Sequence, residues 1–422
     1  MMAAGLLASL CTMALPFDSC FHDRTLRLDY VLAGDAHHSS IYLERMSVHE
    51  GWAGRRRHLA DLPLEGNGRL TMTDAVTGDT LYRHSFCTLF QEWQSTTEAT
   101  LVPKSFQQTL LVPMPMRRGV VSIELNDTHR KVCATMRHEV SPDDILIERR
   151  TAATRYECRD MLRSGSPQEC IDVAFLAEGY TAAEMETFFA DARAATDALL
   201  AHEPFKSMAS RFNIIAVGAV SEDSGVSVPL HGAWRNTVVH SHFSTFYSDR
   251  YLTTPHVFAL HDALEGVPYE HVIVLANTDT YGGGGIYNLY TLTTAHHDQF
   301  RPVVVHEFGH SFGGLADEYF YDSPYEPVYP ADTEPWEQNI TTRRDFGSKW
   351  ADMITHGMPV PTPDAMGQKA PTRHVGLYEG GGYQTKGVWR GCWDCRMRTN
   401  EAQEFCAVCR RALERLIRFY TD

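Results

Sequence analysis

The chain of 422 residues is long enough for two or three domains with apolar cores. Its hydrophobic content of 43% and charged content of 22% are ordinary for a globular protein, and it has no apolar run of about 18 residues that would span a membrane. The formal net charge of -15 argues against a nucleic-acid-binding surface, because phosphate groups would be repelled overall.

Residues 1–16 are mostly small and apolar, a pattern typical of the apolar part of an export signal. No positively charged segment precedes this stretch, so a buried N-terminal strand is the alternative interpretation. We expect residues 1–16 to be the remnant of an export signal. The protein is then predicted to act outside the cytoplasm, in the periplasm, at the cell surface or in the medium.

Residues 17–150 show the pattern of an all-β domain. Short alternating or apolar runs are separated by turn signals such as Gly66-Asn67-Gly68, and no helix-length amphipathic stretch interrupts them. The clearest runs lie at 26–30, 41–48, 69–73, 120–125 and 132–137. We predict a β-sandwich without a catalytic cluster, which favours an accessory or substrate-docking role.

A polar stretch at 151–167 is predicted to be a linker, and the pattern changes after it. Apolar runs at 171–176, 212–217 and 271–276 predict buried strands. Helices are predicted between them, one capped by Thr181 with Glu184 completing a capping box. Residues 168–422 are therefore expected to form a catalytic α/β domain with a mixed sheet, which makes the whole chain an α+β multidomain protein.

The strongest functional signal is His306-Glu307-Phe308-Gly309-His310. On a helix, the four-residue spacing places His306 and His310 on one face, where both imidazoles can bind one metal ion. This H-E-x-x-H pattern binds zinc through the histidines and uses the glutamate as the general base towards a water molecule. An apolar run leads into the motif, and Gly313-Gly314 is expected to end the helix.

The motif and the following Leu315-Ala316-Asp317-Glu318-Tyr319 resemble the M64, or IgA-peptidase, family of metzincin-like zinc metallopeptidases. The likeness extends from about residue 171 to the C-terminus, and about 17–147 resembles the extra N-terminal domain of gut-bacterial members. Further similar stretches lie at 250–254, 281–288, 334–341 and 395–397. The resemblance implies a zinc-dependent endopeptidase that acts on extracellular polypeptides, host proteins among the candidates.

The H-E-x-x-H motif itself supplies only two of the metal ligands. Metzincins place it six residues after the second histidine, but that position here is Ala316, which has no ligating atom. Asp317 is the next residue, and Gly314 supplies the extra residue that would shift the register. We predict Asp317, with Glu318 as the competitor. A gluzincin arrangement is disfavoured, because no helical E-x-x-x-[DE] pattern follows at a suitable distance.

In zinc peptidases of this build, an edge strand just before the zinc-binding helix pairs with the extended substrate. The resemblance therefore implies that the glycine-rich stretch and the strand-like run 286–292 bind substrate backbone by β-augmentation. The alternative is a flexible hairpin loop. The predicted substrate-binding residues are Gly283, Gly284, Gly285, Ile286 and Tyr287.

The resemblance also points to residues near the C-terminus. Metzincin-like peptidases have a methionine in a tight turn beneath the zinc, and Met397 is at the matching place. Tyr378 or Tyr383, in a second glycine-rich stretch, is predicted to hydrogen-bond the oxyanion that forms during hydrolysis. Nothing in the sequence chooses between the two tyrosines.

Cys392, Cys395, Cys406 and Cys409 form two C-x-x-C pairs with ten residues between them. A structural zinc site would explain this spacing. In an exported protein disulfides are at least as good an explanation, and we expect disulfides. Either arrangement would join the Met397 segment to a terminal helix at 407–420.

The predicted function is zinc-dependent peptide hydrolysis, with zinc bound by His306, His310 and Asp317 and with Glu307 as the base. The rival is a surface protein that binds host protein or glycan through its β-sandwich, with the zinc domain secondary. An intact Glu307 favours the enzyme, because an inactive site would be free to lose it. The sequence names neither the protein substrate nor the oligomeric state.

Overall fold

The computed structural model describes residues 16–150, 153–321 and 328–422. The predicted export segment lies outside these residues except for Pro16, so its role stays a prediction. Within the described ranges, no helix has the length and apolar character needed to cross a bilayer.

The N-terminal region is built from strands, as predicted. Two short helices, α1 (Phe17–Cys20) and α2 (Leu89–Gln94), accompany them. The strands are β1 (Phe21–Gly34), β2 (Ser39–Glu50), β3 (Gly68–Asp74), β4 (Thr80–Phe86), β5 (Lys104–Pro115), β6 (Gly119–Asn126), β7 (Val132–Val140) and β8 (Glu148–Arg149).

These strands form two four-stranded sheets, ordered β5-β1-β2-β8 and β4-β3-β6-β7. Side chains from both sheets, including Leu28 of β1 and Leu70 of β3, share one apolar core. The burial pattern of β3 alternates along the strand, because successive side chains of a strand point to opposite faces. The predicted all-β region is confirmed.

The second region contains a six-stranded mixed sheet. Its strands are β9 (Glu157–Leu162), β10 (Ile171–Glu178), β11 (Phe212–Gly218), β12 (His271–Ala276), β13 (Gly283–Ile286) and β14 (Tyr290–Thr294). Strands β10, β11, β12 and β14 are parallel, whereas the edge strands β9 and β13 are antiparallel to their neighbours. Strand β9 lies inside the stretch predicted as a linker, which is therefore partly a strand of this sheet.

In the described part of this second region there are five α-helices: α3 (Met185–Leu200), α4 (Val257–Ala263), α5 (Phe300–Ser311), α6 (Asp364–Gly367) and α7 (Ala407–Thr421). The predicted capping box at Thr181 and Glu184 is present and leads into α3. Helix α3 buries Phe188, Ala192, Ala195 and Leu199, which recur at helical spacing on one face. Helix α5 packs against α3 on one side and against β13 and β14 on the other.

A small antiparallel sheet lies beside the end of α5. It contains β15 (Ile340–Thr341), β16 (Tyr378–Gly381) and β17 (Gln384–Arg390), in the order β15-β17-β16. Phe320 makes an isolated bridge to Tyr383 in the turn between β16 and β17. The sheet therefore brings the C-terminal glycine-rich stretch next to the chain that follows the H-E-x-x-H helix.

The two regions are joined by an extensive contact. Leu64, Cys87 and Leu89 of the N-terminal region belong to the apolar core of the second region. The Cys87 N–H donates to the Tyr287 carbonyl (2.9 Å), and the Asn288 side chain donates to the Ser85 carbonyl (2.8 Å). The hairpin between β13 and β14 is thus hydrogen-bonded to the N-terminal region.

Candidate active site

Helix α5 places three polar side chains of the H-E-x-x-H motif on one side. Val304, Val305 and Phe308 are buried, which fixes the helix against the sheet and its neighbours. His306 and His310 then lie one turn apart with their Nε2 atoms separated by 3.0 Å. The two rings are nearly perpendicular, with centroids 4.7 Å apart, so both Nε2 atoms are directed at the same small volume.

The chain reverses after α5 and brings Asp317 back to the histidines. Gly314 has a φ of 56°, a left-handed conformation that glycine adopts readily, and its N–H donates to the His310 carbonyl (2.9 Å). The Asp317 Oδ1 atom lies 3.0 Å from His306 Nε2 and 3.2 Å from His310 Nε2. The structure therefore places Asp317, and not Glu318, beside the two imidazoles.

Asn339 holds this returning segment in place. Its Oδ1 accepts the Ala316 N–H (2.8 Å), and its Nδ2 donates to the Ala316 carbonyl (2.8 Å). The asparagine is fully buried and acts as a two-point clamp on the residue before Asp317. The sequence alone does not reveal this clamp, because the two residues are 23 positions apart.

The tautomers of both histidines follow from their Nδ1 partners. His306 Nδ1 lies 2.9 Å from the Arg396 carbonyl, and His310 Nδ1 lies 2.6 Å from the Leu315 carbonyl. A carbonyl oxygen only accepts hydrogen bonds, so each Nδ1 carries a proton, and the ring in its neutral form presents the Nε2 lone pair. Such Nδ1 contacts are the usual way in which a metal-binding histidine is oriented.

A cation fits the volume between these groups. Two Nε2 lone pairs and Asp317 Oδ1 face one another at 3.0–3.2 Å, and this buried oxygen has no hydrogen-bond donor within the described ranges. Three converging acceptors repel one another unless positive charge lies between them. Two imidazoles and one carboxylate match the open, catalytic type of zinc site.

The pKa shifts of His310 and Asp317 also indicate that positive charge is favoured between these groups. Burial lowers the pKa of His310, but the negative charge of Asp317 outweighs it and raises the pKa to about 9. Burial raises the pKa of Asp317, yet His310 and His306 hold this pKa well below its ordinary range. The cluster thus binds a proton or a cation strongly.

Glu307 lies beside this cluster. Ligand atoms of His306, Glu307 and His310 all lie within 4.8 Å of one another. Burial raises the pKa of the Glu307 carboxyl, although the two histidines oppose this shift. A carboxylate that binds its proton more tightly than usual is suited to accept a proton and return it near neutral pH.

The segment around Met397 lies beneath α5. Met397 is fully buried, and a Cβ atom added to Gly309 would be only 2.6 Å from its Sδ. The Met397 carbonyl also accepts the Glu318 N–H (2.8 Å). Met397 therefore lies between the motif helix and the segment that contains Asp317, and its predicted role beneath a metal ion stays a prediction.

The two predicted oxyanion donors are in different places. The Tyr383 hydroxyl donates to Asp317 Oδ2, and its side chain is partly exposed beside the cluster. The Tyr378 hydroxyl donates to the His374 carbonyl (3.1 Å), and Tyr378 is fully buried away from it. Tyr319, which sequence reasoning did not single out, stacks on His306 with ring centroids 6.4 Å apart.

The glycines of β13 allow this strand to pack closely against α5. A Cβ atom at Gly285 would lie 2.2 Å from the Glu307 carbonyl oxygen, and one at Gly283 would lie 2.9 Å from the Glu307 carboxylate. On the other side, the Tyr251 ring covers Gly284, and the Gly283 N–H donates to the Arg250 carbonyl. The edge of β13 is therefore partly covered at the positions predicted to bind substrate.

The rest of the predicted substrate strand has a different conformation. The run 286–292 is interrupted by a turn at 287–289, where Asn288 has a φ of 51°. Ile286 and Tyr287 are buried, and the Tyr287 carbonyl is bonded to the N-terminal region. The structure places these two side chains in the core, away from any surface that a substrate would reach.

The C-terminal cysteines are thiols and not disulfides. Cys392, Cys395, Cys406 and Cys409 are all fully buried and unpaired. The predicted disulfides are therefore corrected. Three of these sulfur atoms gather around the Glu318 carboxylate, which explains why Glu318 does not approach the histidines.

An acidic residue of the N-terminal region also faces the site. Glu92 of α2 accepts a hydrogen bond from the Tyr251 hydroxyl. Burial raises the pKa of Glu92 to about 7. The charge of His310 lowers this pKa, whereas the charges of Asp317 and Glu307 raise it. No local pattern in the sequence could have joined Glu92 to the motif, because α2 and α5 are far apart along the chain.

Comparison with known protein families gives two matches. The family described as IgA Peptidase M64 matches residues 160–370 and 364–417, which together make up well over half of the chain. The family described as Peptidase M64 N-terminus matches residues 16–137, the region of the two four-stranded sheets. No curated protein matches the chain.

Proposed function

Because the chain belongs to the IgA peptidase M64 family and is a peptidase, we propose that it is a zinc-dependent endopeptidase that cleaves extracellular polypeptides, host proteins among them. The observation that supports this proposal is the convergence of His306 Nε2, His310 Nε2 and Asp317 Oδ1 at 3.0–3.2 Å. The family also favours hydrolysis over the alternative of a surface-binding protein.

His306, His310 and Asp317 would hold the zinc ion. When bound there, zinc supplies Lewis acidity to the scissile carbonyl and lowers the pKa of a water molecule. The Arg396 and Leu315 carbonyls keep both imidazoles in the tautomer that offers Nε2. Asn339 and Gly314 keep Asp317 at the ring nitrogens.

Glu307 is the proposed general base and acid. It takes a proton from the attacking water and returns it to the leaving amine, and its raised pKa suits both transfers. Tyr383 is the proposed donor to the oxyanion, because its hydroxyl bonds Asp317 at the cluster, whereas the Tyr378 hydroxyl bonds the His374 carbonyl. When it turns to the substrate, Tyr383 gives up its hydrogen bond to Asp317.

Metal-dependent proteolysis is the direct test. Digestion of casein or gelatin should stop after chelation and return when Zn²⁺ is restored. The Glu307→Gln variant is the matched control, because it keeps all three proposed ligands and should bind zinc without hydrolysing either substrate. Undiminished digestion by the chelated protein would contradict the proposal, as would a zinc-loaded wild-type protein without activity on any polypeptide.

A further inference from the structure

Glu318 and three cysteines form a second cluster of metal-binding groups on the far side of the Asp317 segment. Ligand atoms of Glu318, Cys395, Cys406 and Cys409 all lie within 4.8 Å of one another, and all four residues are buried. From this cluster we infer that the protein has a structural metal site for Zn²⁺, separate from the histidine site, and this inference does not rest on the proposed hydrolysis.

The separations fit one ion with four ligands. The distance between Cys395 Sγ and Cys409 Sγ is 3.6 Å, and Glu318 Oε1 lies 3.0 Å from Cys409 Sγ and 4.0 Å from Cys406 Sγ. A tetrahedron with metal–sulfur bonds of about 2.3 Å has edges of about 3.8 Å, and a shorter metal–oxygen bond gives shorter edges. The groups need only small shifts to bind one ion.

The hydrogen bonding of the Glu318 carboxylate is a second observation that favours a bound cation. Its Oε1 accepts a hydrogen bond from the Asn339 side chain (3.0 Å), but its Oε2 has no donor within the described ranges. The residue is fully buried, so this oxygen is out of contact with bulk solvent. Burying a carboxylate oxygen in this way is costly, and binding a cation removes the cost.

Two of the proposed cysteine ligands lie at the start of α7. Cys406 and Cys409 lie at the start of α7, where the helix dipole stabilises negative charge. The Cys406 N–H also donates to Cys395 Sγ (3.2 Å). Thiolate ligands select zinc among the common divalent cations, and four protein ligands without an open position are typical of a structural site.

Cys392 is the alternative fourth ligand, and it is less well placed. Its sulfur lies 3.5 Å from the Thr372 carbonyl and does not belong to the group of four whose ligand atoms are mutually close. The proposed ligand set is therefore one carboxylate and three thiolates. A site made of four cysteines is an outcome that the experiment can distinguish.

A metal ion at this second site would also help to position the residues of the histidine site. Glu318 follows Asp317 directly, and Cys395 precedes Arg396 and Met397, whose carbonyls accept from His306 Nδ1 and the Glu318 N–H. An ion that joins Glu318 to Cys395, Cys406 and Cys409 would fix both segments together with the start of α7. Its role is to position Asp317 and the His306 ring without contact with substrate.

Metal counting by mass spectrometry of the purified full chain tests the proposal. The wild type should contain two zinc ions per chain. The His306→Ala/His310→Ala variant should retain one, which separates the second site from the catalytic proposal. In that background, Cys409→Ser should retain none, and the matched Cys170→Ala, which removes another buried cysteine, should still retain one. Zero zinc in the His306→Ala/His310→Ala variant would overturn the inference.

A second readout begins with the wild-type protein. After Co²⁺ replaces zinc in the wild type, thiolate ligation should give intense near-ultraviolet charge-transfer absorption, which Asp317→Asn should leave intact. Alkylation should modify Cys395, Cys406 and Cys409 only after chelation. Disulfides among them would overturn the site. Retention of this ion in Glu318→Gln together with its loss in Cys392→Ser would overturn the proposed ligand set in favour of four cysteines.

Discussion

Asp317 and Glu318 are neighbours in the chain, yet their carboxylates belong to different clusters. Asp317 Oδ1 lies 3.0 Å from His306 Nε2, whereas Glu318 Oε1 lies 3.0 Å from Cys409 Sγ. Successive side chains of an extended segment point in opposite directions, so one short stretch can serve two sites. This separation gives the two acidic residues different expected effects.

Asp317→Asn should remove the ion held by the histidines and abolish peptidase activity, because one ligand and its charge are lost. Glu318→Gln should keep metal at the histidines, even where the second cluster is disturbed. Zinc content together with casein digestion measures both effects. The reverse result, in which Asp317→Asn keeps the catalytic metal and Glu318→Gln loses it, would exchange the third ligand.

Tyr383→Phe removes the hydroxyl that donates to Asp317. We expect kcat on a peptide substrate to fall by about 100-fold to 1,000-fold, the usual range for losing an oxyanion donor. A fall in kcat with unchanged zinc affinity would support the oxyanion role, whereas weaker zinc binding alone would show that the hydroxyl only orients Asp317. Tyr378→Phe is the matched control and should leave kcat unchanged, because that hydroxyl bonds the His374 carbonyl.

Gly285→Ala should destabilise the fold around α5. The added methyl carbon would lie 2.2 Å from the Glu307 carbonyl oxygen and 2.9 Å from His310 Cβ, so the strand or the helix must move. Overpacking of this kind costs about 1–3 kcal/mol in the free energy of unfolding, and the displaced helix should also lower activity. Urea denaturation and casein digestion measure the two effects.

Gly347→Ala is the control for that substitution. Its added carbon would meet no atom closer than 3.9 Å, and Gly347 does not have a positive φ. Its unfolding free energy and activity should stay close to those of the wild type. Equal behaviour of the two variants would contradict the close packing of β13 on α5.

Asp172 predicts a pH dependence of stability. It is buried in β10, and burial raises its pKa to about 7 despite a hydrogen bond from Asn213 (2.9 Å). In the unfolded chain the pKa returns to about 3.9, so between these values the folded state holds a proton that the unfolded state has released. Stability therefore falls as pH rises through this window.

Asp172→Asn removes this penalty. Relative to the wild type, the unfolding free energy of the variant should increase on going from about pH 4 to about pH 8, by on the order of 3 kcal/mol. Urea denaturation at both pH values measures the difference. Asp160→Asn, on the exposed side of β9, is the control and should show no such change. A pH-independent difference between Asp172→Asn and wild type would contradict the raised pKa.

Local patterns predicted the parts of the site that are close in sequence. The spacing of His306 and His310 fixes both rings on one helix face, and the capping box at Thr181 marks the start of α3. The family resemblance supplied the position of Met397. The clamp from Asn339 and the approach of Glu92 depend on tertiary folding, which single-sequence patterns do not report.

Some misses have specific physical causes. Strand β5 was not predicted, because it contains Pro113 and Pro115, which weaken a strand pattern and are tolerated here at the edge of a sheet. The run 286–292 has the residue pattern of one strand, but the left-handed conformation of Asn288 turns it into a hairpin. Cysteine spacing alone could not separate disulfides from the buried thiols around Glu318.

The hydrogen bond from Cys87 to Tyr287, with the apolar contacts around it, makes the N-terminal region part of the scaffold of the peptidase. A shortened recombinant enzyme that starts at residue 160, where the family match begins, would uncover the hairpin beside α5 and the buried surface under Leu64 and Leu89. Such a fragment is expected to aggregate. Inhibitor screening and protein engineering should therefore begin from both regions together.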